Sequence, residues 1–490
     1  MPVCTRCQAS NTECHYIRSR RGLRKSTKNE PSQSLEADIS LLAADDFAGW
    51  LDTALPAELD LENGFSLFHT ASLTESDPAT PDVAYDPMVQ LYYQNFHPSH
   101  PITIPRKALN SSLSYLIPPY LLSIMRYIGA HFYPNPSVKQ SLRPAAYSFL
   151  SDPSLRDGFK VQGLLLLAIV DHSNGHEQSA QRLIHTAVNL ALEIGMHEAC
   201  FARAHSFDHS ILEESWCRTY WELYIVDGLL SAMREQSPFR LFHQPVSVQL
   251  PCCERMYNLD NAIPTNQTLP DFQSGWTLGH DFSSFAHRIN AVQNLGEVLE
   301  INRSLEHNES RVETIDAHIT SSLMALPSLH GDGYDSANHD EMVFQAQMTL
   351  YLALIYLHHP LSSLRFASFQ TTPSTSCRLK ATGDSELSIA CGHSLDIHSH
   401  KLIRAADLLS GLATLPSSIR SRSPFFTCAL GICIVVHTAA LLVVNGSGKK
   451  ESVKARIQLG IAALKALGKV WPLARNVRGQ MVDMYREVVG

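Results

Sequence analysis

The chain has 490 residues, of which 44% are hydrophobic and 18% charged, so it is not a protein that is disordered throughout. Its formal net charge of -8 excludes nucleic-acid binding through an overall basic surface, and any such contact would need a local basic patch. The N-terminus lacks the apolar stretch of a secretion signal, which favours a cytosolic or nuclear protein. The eleven cysteines are odd in number and mostly lie in apolar runs, which predicts reduced, buried thiols (Cys200, Cys217, Cys428, Cys433).

The N-terminal segment, residues 1–28, combines cysteines with basic residues. Cys4 and Cys7 form a Cys-x2-Cys turn that can present two thiolates to one zinc ion, and Cys14 follows after six residues. Seven Lys and Arg stand against one acid in this segment. A basic run follows the cysteines and predicts phosphate contacts, a nuclear import signal or a plain solvated tail (Arg18, Arg20, Arg21, Arg24, Lys25).

Residues 29–86 have the opposite charge. No Lys or Arg occurs between Lys28 and Arg106, and acids alternate with apolar groups in ISLLAADDFAGWLDTALPAELDL. This composition predicts a disordered acidic linker. Two interpretations carry equal weight: an activation segment that folds on a partner, or a solvated linker.

Residues 87–490 are predicted to form one all-α domain, because apolar residues recur at helical spacing. One face runs from Ala180 to Ile194, and Gly195 is placed to end that helix. Five further helices are expected (Arg288–Asn302, Met342–His358, Ser399–Leu412, Phe425–Val444, Ser452–Leu467). Loops are expected at 261–275 and 370–388, and weak β-alternation occurs only at 246–250. Asp227 falls on an apolar face and needs a partner, for which Arg218 is the candidate although its helical position is poor.

The run PFFTCALGICIVVHTAALLVV, from Pro424 to Val444, is long and apolar enough to span a bilayer. His437, Thr427 and Thr438 interrupt it, and an all-helical core needs central helices that are apolar all round. We therefore predict a buried core helix and no membrane association.

The N-terminal arrangement resembles the second half of the fungal binuclear zinc cluster, in which six cysteines hold two zinc ions. Pro2 precedes Cys4, and Cys14 is followed by His15, Tyr16 and the basic run. The helical part resembles the family's fungus-specific regulatory domain in ordered blocks: HPITIPRKAL, PPYLLSIMRYIGAHF, VQGLLLLAIV, AVNLALEIGMH, EESWCRTYWELYIVDGLLSA, LPCCE, FQAQMTLYLALIYLHHP, SPFFTCALGICIVVHTAALL and IAALKALGKVWPLA. Gly228 departs from the family, which usually has a basic residue after the aspartate.

The resemblance implies a nuclear transcription factor for RNA polymerase II genes, similar to regulators of fungal secondary-metabolite gene clusters. It implies zinc at Cys4, Cys7 and Cys14, DNA contacts by Arg18, Arg20, Arg21, Arg24 and Lys25, and transcriptional machinery as a partner. Because the first half of the cluster is absent, His15, a water or a second copy of the chain would have to complete one zinc site, the last giving a homodimer. We expect the missing Cys-x2-Cys-x6-Cys upstream of Met1; the alternative is a helical regulator without sequence-specific DNA binding of its own.

Enzyme signatures are weak by comparison. Asp45 and Asp46 lack the third carboxylate of a magnesium-binding terpene cyclase motif, and the sequence has neither a Gly-x-Ser-x-Gly elbow nor a glycine-rich phosphate loop. His393, His398 and His400 cluster in CGHSLDIHSHK, but His398 and His400 cannot share a helix face, so no metal site is predicted there. No catalytic residue is assigned, and the chain is interpreted as a regulator rather than a helical enzyme.

Overall fold

The structure is a computed structural model that describes residues 83–489 apart from 235–237, 260–265, 275–281, 305–308, 328–339, 365, 367–395, 417 and 445. All described residues belong to one compact unit, Phe68–Gly490. They contain α-helices and short 3-10 helices but no β-strand, which confirms the all-α prediction. Residues 246–250, where alternation is weakly β-like, belong to neither a strand nor a helix.

The first eight described α-helices build the part of the domain that precedes residue 260. They are α1 Pro87–Asn95, α2 Pro119–Gly129, α3 Pro136–Tyr147, α4 Gly158–Ser173, α5 Glu177–Glu193, α6 Ala199–Ala204, α7 Ser210–Arg234 and α8 Glu254–Asn258. Helix α7 packs against α4, α5 and α6, and α2 packs against α1, α3 and α4. The long α7 therefore lies at the centre of this half.

The second half follows with eight more described α-helices. They are α9 Leu269–Ser274, α10 Ser284–Arg303, α11 Glu309–Met324, α12 Glu341–His358, α13 Ile397–Gly411, α14 Phe426–Val443, α15 Ser447–Leu467 and α16 Pro472–Val489. Helix α10 packs against both α7 and α12, and α12 continues the stack to α13. Helix α14 then packs against α13, α15 and α16, so one layered helical core extends through both halves.

Capping residues fix where several helices begin and end. Asp86 accepts hydrogen bonds from the first turn of α1, and Asp157 does the same for α4. Helix α5 ends as predicted, because Gly195 adopts a φ of 75° that a side chain would disfavour. The Met196 N–H then donates to Ala191 O and the Gly195 N–H to Leu192 O, which is the hydrogen-bond pattern of a Schellman motif.

The five helices predicted in the second half are all present, with ends shifted by a few residues. Helices α11 and α16 were not predicted as separate elements. The predicted loop at 261–275 contains the short helix α9, and the predicted loop at 370–388 lies outside the described residues. The Cys200 prediction was wrong: Cys217, Cys428 and Cys433 are buried free thiols, but Cys200 is exposed at the start of α6.

Helix α14 is the predicted apolar segment. Among the described helices it alone is long and hydrophobic enough to span a membrane, but 89% of it is buried inside the domain. Two of its polar side chains have partners within the protein: His437 Nε2 lies 3.1 Å from Asp407 Oδ1, and the Thr438 hydroxyl donates to Ile434 O. The interpretation as a core helix is therefore confirmed.

Candidate functional site: the ionic core of the helical domain

The sequence-predicted metal and DNA residues lie outside the described residues. Cys4, Cys7, Cys14 and the basic run from Arg18 to Lys25 all precede residue 83, so their arrangement stays a prediction. Within the described part of the chain, no group of three or more His, Cys, Asp or Glu is placed to hold a metal ion. The chemistry that the structure does show is a set of buried ion pairs in the regulatory domain.

The first pair joins α7 to the LPCCE segment. Arg218 is fully buried, with its Nε 2.6 Å from Glu214 Oε1 and its Nη1 2.6 Å from Glu254 Oε1. The Arg218 Nη2 also donates to Cys252 O, and the Cys252 N–H donates to Glu214 Oε1. The guanidinium lies over the Tyr257 ring, 4.0 Å from its centroid. Arg218 thus joins two separate blocks of the resemblance, the EESWCRTYWELYIVDGLLSA block of α7 and the LPCCE block.

The second group surrounds Glu222, one helical turn further along α7. Arg288 of α10 donates to both carboxylate oxygens, at 2.5 Å and 2.8 Å, and His100 Nδ1 lies 2.7 Å from Oε1. All three side chains are buried. Burial alone would raise the pKa of Glu222, but the charges and hydrogen bonds of Arg288 and His100 lower the pKa to about 2. Glu222 is therefore held as a carboxylate inside the core.

The third pair connects the N-terminal end of the domain with its C-terminal half. Arg422 Nη1 lies 2.5 Å from Glu341 Oε2, and its guanidinium lies 3.9 Å from the centroid of the Phe344 ring. The Ser99 hydroxyl donates to Ser421 O, and Gln345 donates to Ser99 O. Residues near positions 100, 341 and 422 are thereby fixed to one another although they are far apart in sequence.

The aspartate that the sequence singled out has a different partner from the one expected. Asp227 Oδ2 accepts a hydrogen bond from the Leu241 N–H at 3.1 Å, whereas Arg218 pairs with Glu214 and Glu254. The requirement for a partner is confirmed, but the choice of Arg218 was wrong. The structure also gives a physical reason for glycine at position 228. A Cβ there would lie 2.7 Å from Val292 Cγ1, so no larger residue fits without movement.

The histidine cluster also differs from its sequence description. His393 lies outside the described residues, and His398 contacts His358 of α12, with 3.0 Å between their Nδ1 atoms. His358 Nε2 in turn lies 3.0 Å from Asp316 Oδ1, and Lys401 Nζ donates to Asp316 Oδ2. The cluster thus connects α11, α12 and α13.

A cleft of about 360 Å³ opens between α10, α11 and the turn at Phe242. It has mixed aromatic and charged walls (Phe242, His243, Gln293, Glu297, Glu300, Arg311, Thr314, Ile315, His318). Glu300 lies 3.2 Å from His243 Nε2 and 3.1 Å from Arg311 Nη2, so its charge is already compensated. The Thr314 hydroxyl in this cleft donates to Ser310 O rather than to a lining histidine or carboxylate.

One sequence signal could have revealed the ionic core. Glu214, Arg218 and Glu222 recur every four residues along an otherwise apolar helix, which places alternating charges on one stripe. Their partners Glu254 and Arg288 come from other helices and have no local signature. The row of charges on α7 can therefore be predicted from sequence, whereas the ion pairs that it forms with other helices cannot.

Comparison with known proteins finds a matching protein family and a related full-length sequence. Residues 89–375 match the model of the fungal specific transcription factor domain. The chain is also 27% identical over 533 residues to the C6 finger domain transcription factor iacK of Pestalotiopsis fici, an alignment that covers 99% of this chain and 78% of the relative. No solved structure matches. The matched domain contains α7, α10 and α12, which carry much of the buried ionic core.

Proposed function

The chain belongs to the family of fungal-specific transcription factors, and we propose that it regulates a secondary-metabolite biosynthetic gene cluster from the nucleus. It is a fungal transcription regulator. The observation that carries the finer proposal is the similarity to a C6 finger transcription factor, which covers 99% of this chain.

In this proposal Cys4, Cys7 and Cys14 hold zinc as thiolates. Three thiolates can bind one zinc ion and leave a fourth position, which His15, a water or a second copy of the chain would fill. Because thiolate ligands must be deprotonated, zinc affinity should fall at acidic pH. The last alternative would make the chain a homodimer through its metal site.

DNA is the proposed partner of the basic run from Arg18 to Lys25. These side chains supply phosphate contacts, which position a protein on DNA without specifying a sequence. The acidic segment, with Phe47, Trp50, Leu51 and Leu55 among its acids, is the proposed contact for transcriptional machinery. Burial of these aromatic and leucine side chains would supply the affinity.

A second candidate is a regulator of the same family that has no sequence-specific DNA binding of its own. It is supported by the basic run, whose side chains can contact phosphates without reading bases. The two proposals differ in one measurable property, namely whether binding depends on base sequence or only on salt.

Zinc content and promoter binding test the proposal together. We expect purified full-length protein to contain bound zinc. This zinc should be lost when Cys4 and Cys7 are both replaced by Ser. A Cys217→Ser variant, which alters a buried thiol far from this motif in sequence, serves as the matched control. A metal-free wild-type protein would overturn the zinc assignment, and zinc-bound protein without sequence preference would favour the second candidate.

A further inference from the structure

Positive charge is concentrated at the C-terminal end of the chain. Residues 397–490 contain 13 Lys and Arg against 4 Asp and Glu, a net charge of +9 in a protein whose net charge is -8. Two of these cations pair with acids outside the segment, Lys401 with Asp316 and Arg422 with Glu341, which leaves 11 Lys and Arg against the 4 acids. Such a local imbalance is the electrostatic footprint of a surface that meets a polyanion.

The excess cations gather on the pair of helices α15 and α16, which pack against each other. Lys454 of α15 and Tyr485 of α16 are close enough to influence each other electrostatically. The side of α15 that bears Lys454 therefore faces the side of α16 that bears Tyr485. We call the surface between these two sides the C-terminal basic groove, formed by three lysines and three arginines (Lys450, Lys454, Lys465, Arg475, Arg478, Arg486).

Helical periodicity keeps these six residues together. On α15, Lys450 and Lys454 are four residues apart, and Lys465 follows after eleven more. On α16, Arg475 and Arg486 are also eleven residues apart, and a spacing of eleven is close to three full helical turns. The acids of α16, Asp483 and Glu487, are centred about 110° around the helix axis from the mean direction of its three arginines. The cations of the two helices thus border one groove and outnumber the acids beside them.

Two of these cations have a carboxylate partner on their own helix. Lys454 Nζ lies 2.8 Å from Glu451, and Arg486 Nη1 lies 3.9 Å from Asp483, both in exposed positions where such pairs are weak. Arg475 donates to Gly468 O across the turn between the helices, which fixes its orientation. A further cation, Lys139 of α3, lies beside Arg475: burial and the charge of Arg475 both lower the pKa of Lys139.

We propose that the C-terminal basic groove binds the sugar–phosphate backbone of duplex DNA, independently of base sequence. Helix α16 has 18 residues and is about 27 Å long, and a strand of duplex DNA carries a phosphate about every 3.4 Å along its axis. The groove is therefore long enough to meet several phosphates. This contact is additional to the proposed contact of the N-terminal basic run and does not depend on zinc.

An acidic peptide is the competing polyanion, and the surface disfavours it. Acidic peptides that bind tightly do so by burying aromatic or aliphatic side chains in an apolar groove. Within α15 and α16, both fully described, the exposed large apolar residue is Val489 at the very end of α16. A surface of cations without apolar contacts matches a nucleic-acid backbone better.

The test is salt-dependent binding of the full-length protein to a labelled random duplex of about 30 base pairs, followed by fluorescence anisotropy. The groove variant is Lys450→Glu with Arg486→Glu, and the matched control is Arg106→Glu with Lys107→Glu, which changes charge equally at exposed positions of another surface. Both are also made in a chain with Arg18, Arg20, Arg21, Arg24 and Lys25 replaced by Ala. That background separates the groove from the N-terminal run, so failure of one contact leaves the other measurable.

We expect the groove variant to bind at least tenfold more weakly at low salt and to lower the slope of log affinity against log salt by about 2, because two phosphate contacts are lost. The control variant should change affinity less than threefold. The neutral pair Lys450→Gln with Arg486→Gln, checked by circular dichroism, guards against unfolding. Equal effects of the groove and control variants would overturn the proposal, as would a groove that binds an acidic peptide more tightly than the duplex.

Discussion

Replacing Arg288 with Met should be one of the most destabilising single changes in the helical domain. Arg288 is fully buried and donates to both oxygens of Glu222, so its removal leaves a buried carboxylate with His100 as its remaining ionic neighbour. Breaking a buried pair from one side costs about 3–5 kcal/mol, because the other charge stays in the core uncompensated. Methionine fills most of the volume, so little of the loss comes from a cavity.

Urea unfolding of the full-length protein measures this loss as a lower midpoint with an unchanged denaturant slope. Arg311→Met is the matched control, because Arg311 pairs with Glu300 at a half-exposed position where the pair is worth about 0–1 kcal/mol. The double variant Glu222→Leu with Arg288→Met removes both charges and should recover part of the loss, since neither charge is then left unpaired. If Arg288→Met costs no more than Arg311→Met, or if the double variant is as unstable as the sum of the singles, the reasoning fails.

Four further predictions concern other parts of the chain. Gly129→Ala should destabilise the fold by about 1–3 kcal/mol, because its Cβ would collide with Met88 O, whereas Gly479→Ala, with open space around it, should be neutral or stabilising by up to about 1 kcal/mol in thermal melts. Glu222 has a lowered pKa, so its contribution to stability is present above pH 4.5 and is lost as the pH falls toward about 2. The free energy of unfolding measured against pH should therefore fall over this range in the wild type but not through this group in Glu222→Gln. A Glu222→Gln variant with the same fall would contradict the assignment. Alanine at Phe47, Trp50, Leu51 and Leu55 should abolish reporter activation by a tethered acidic segment, and unchanged activity would remove the idea. Limited proteolysis should leave a stable fragment that begins near residue 87, and a core beginning near residue 40 would contradict the predicted boundary.

The sequence predicted those features that depend on local pattern. The face from Ala180 to Ile194 indicated α5, and Gly195 indicated its end, because apolar spacing and a left-handed cap are both local properties. The apolar segment at α14 was correctly assigned to the core, since its composition allowed either environment and its polar residues decided between them.

Features that depend on distant partners were not predictable. The need of Asp227 for a partner followed from its apolar neighbours, but the Leu241 N–H that meets it belongs to a connection after α7. Glu222 was not singled out because Arg288 and His100 come from elements far away in sequence. A buried charge can be detected locally, whereas its compensation is a property of the fold.

The most direct test of the central claim is genome-wide chromatin occupancy of the tagged full-length protein, compared with transcript levels after deletion of its gene. Our account predicts nuclear protein bound at promoters of a contiguous set of biosynthetic genes whose transcripts change together on deletion, with occupancy reduced in the Cys4→Ser, Cys7→Ser variant. Occupancy at no promoters, together with unchanged transcripts, would contradict it.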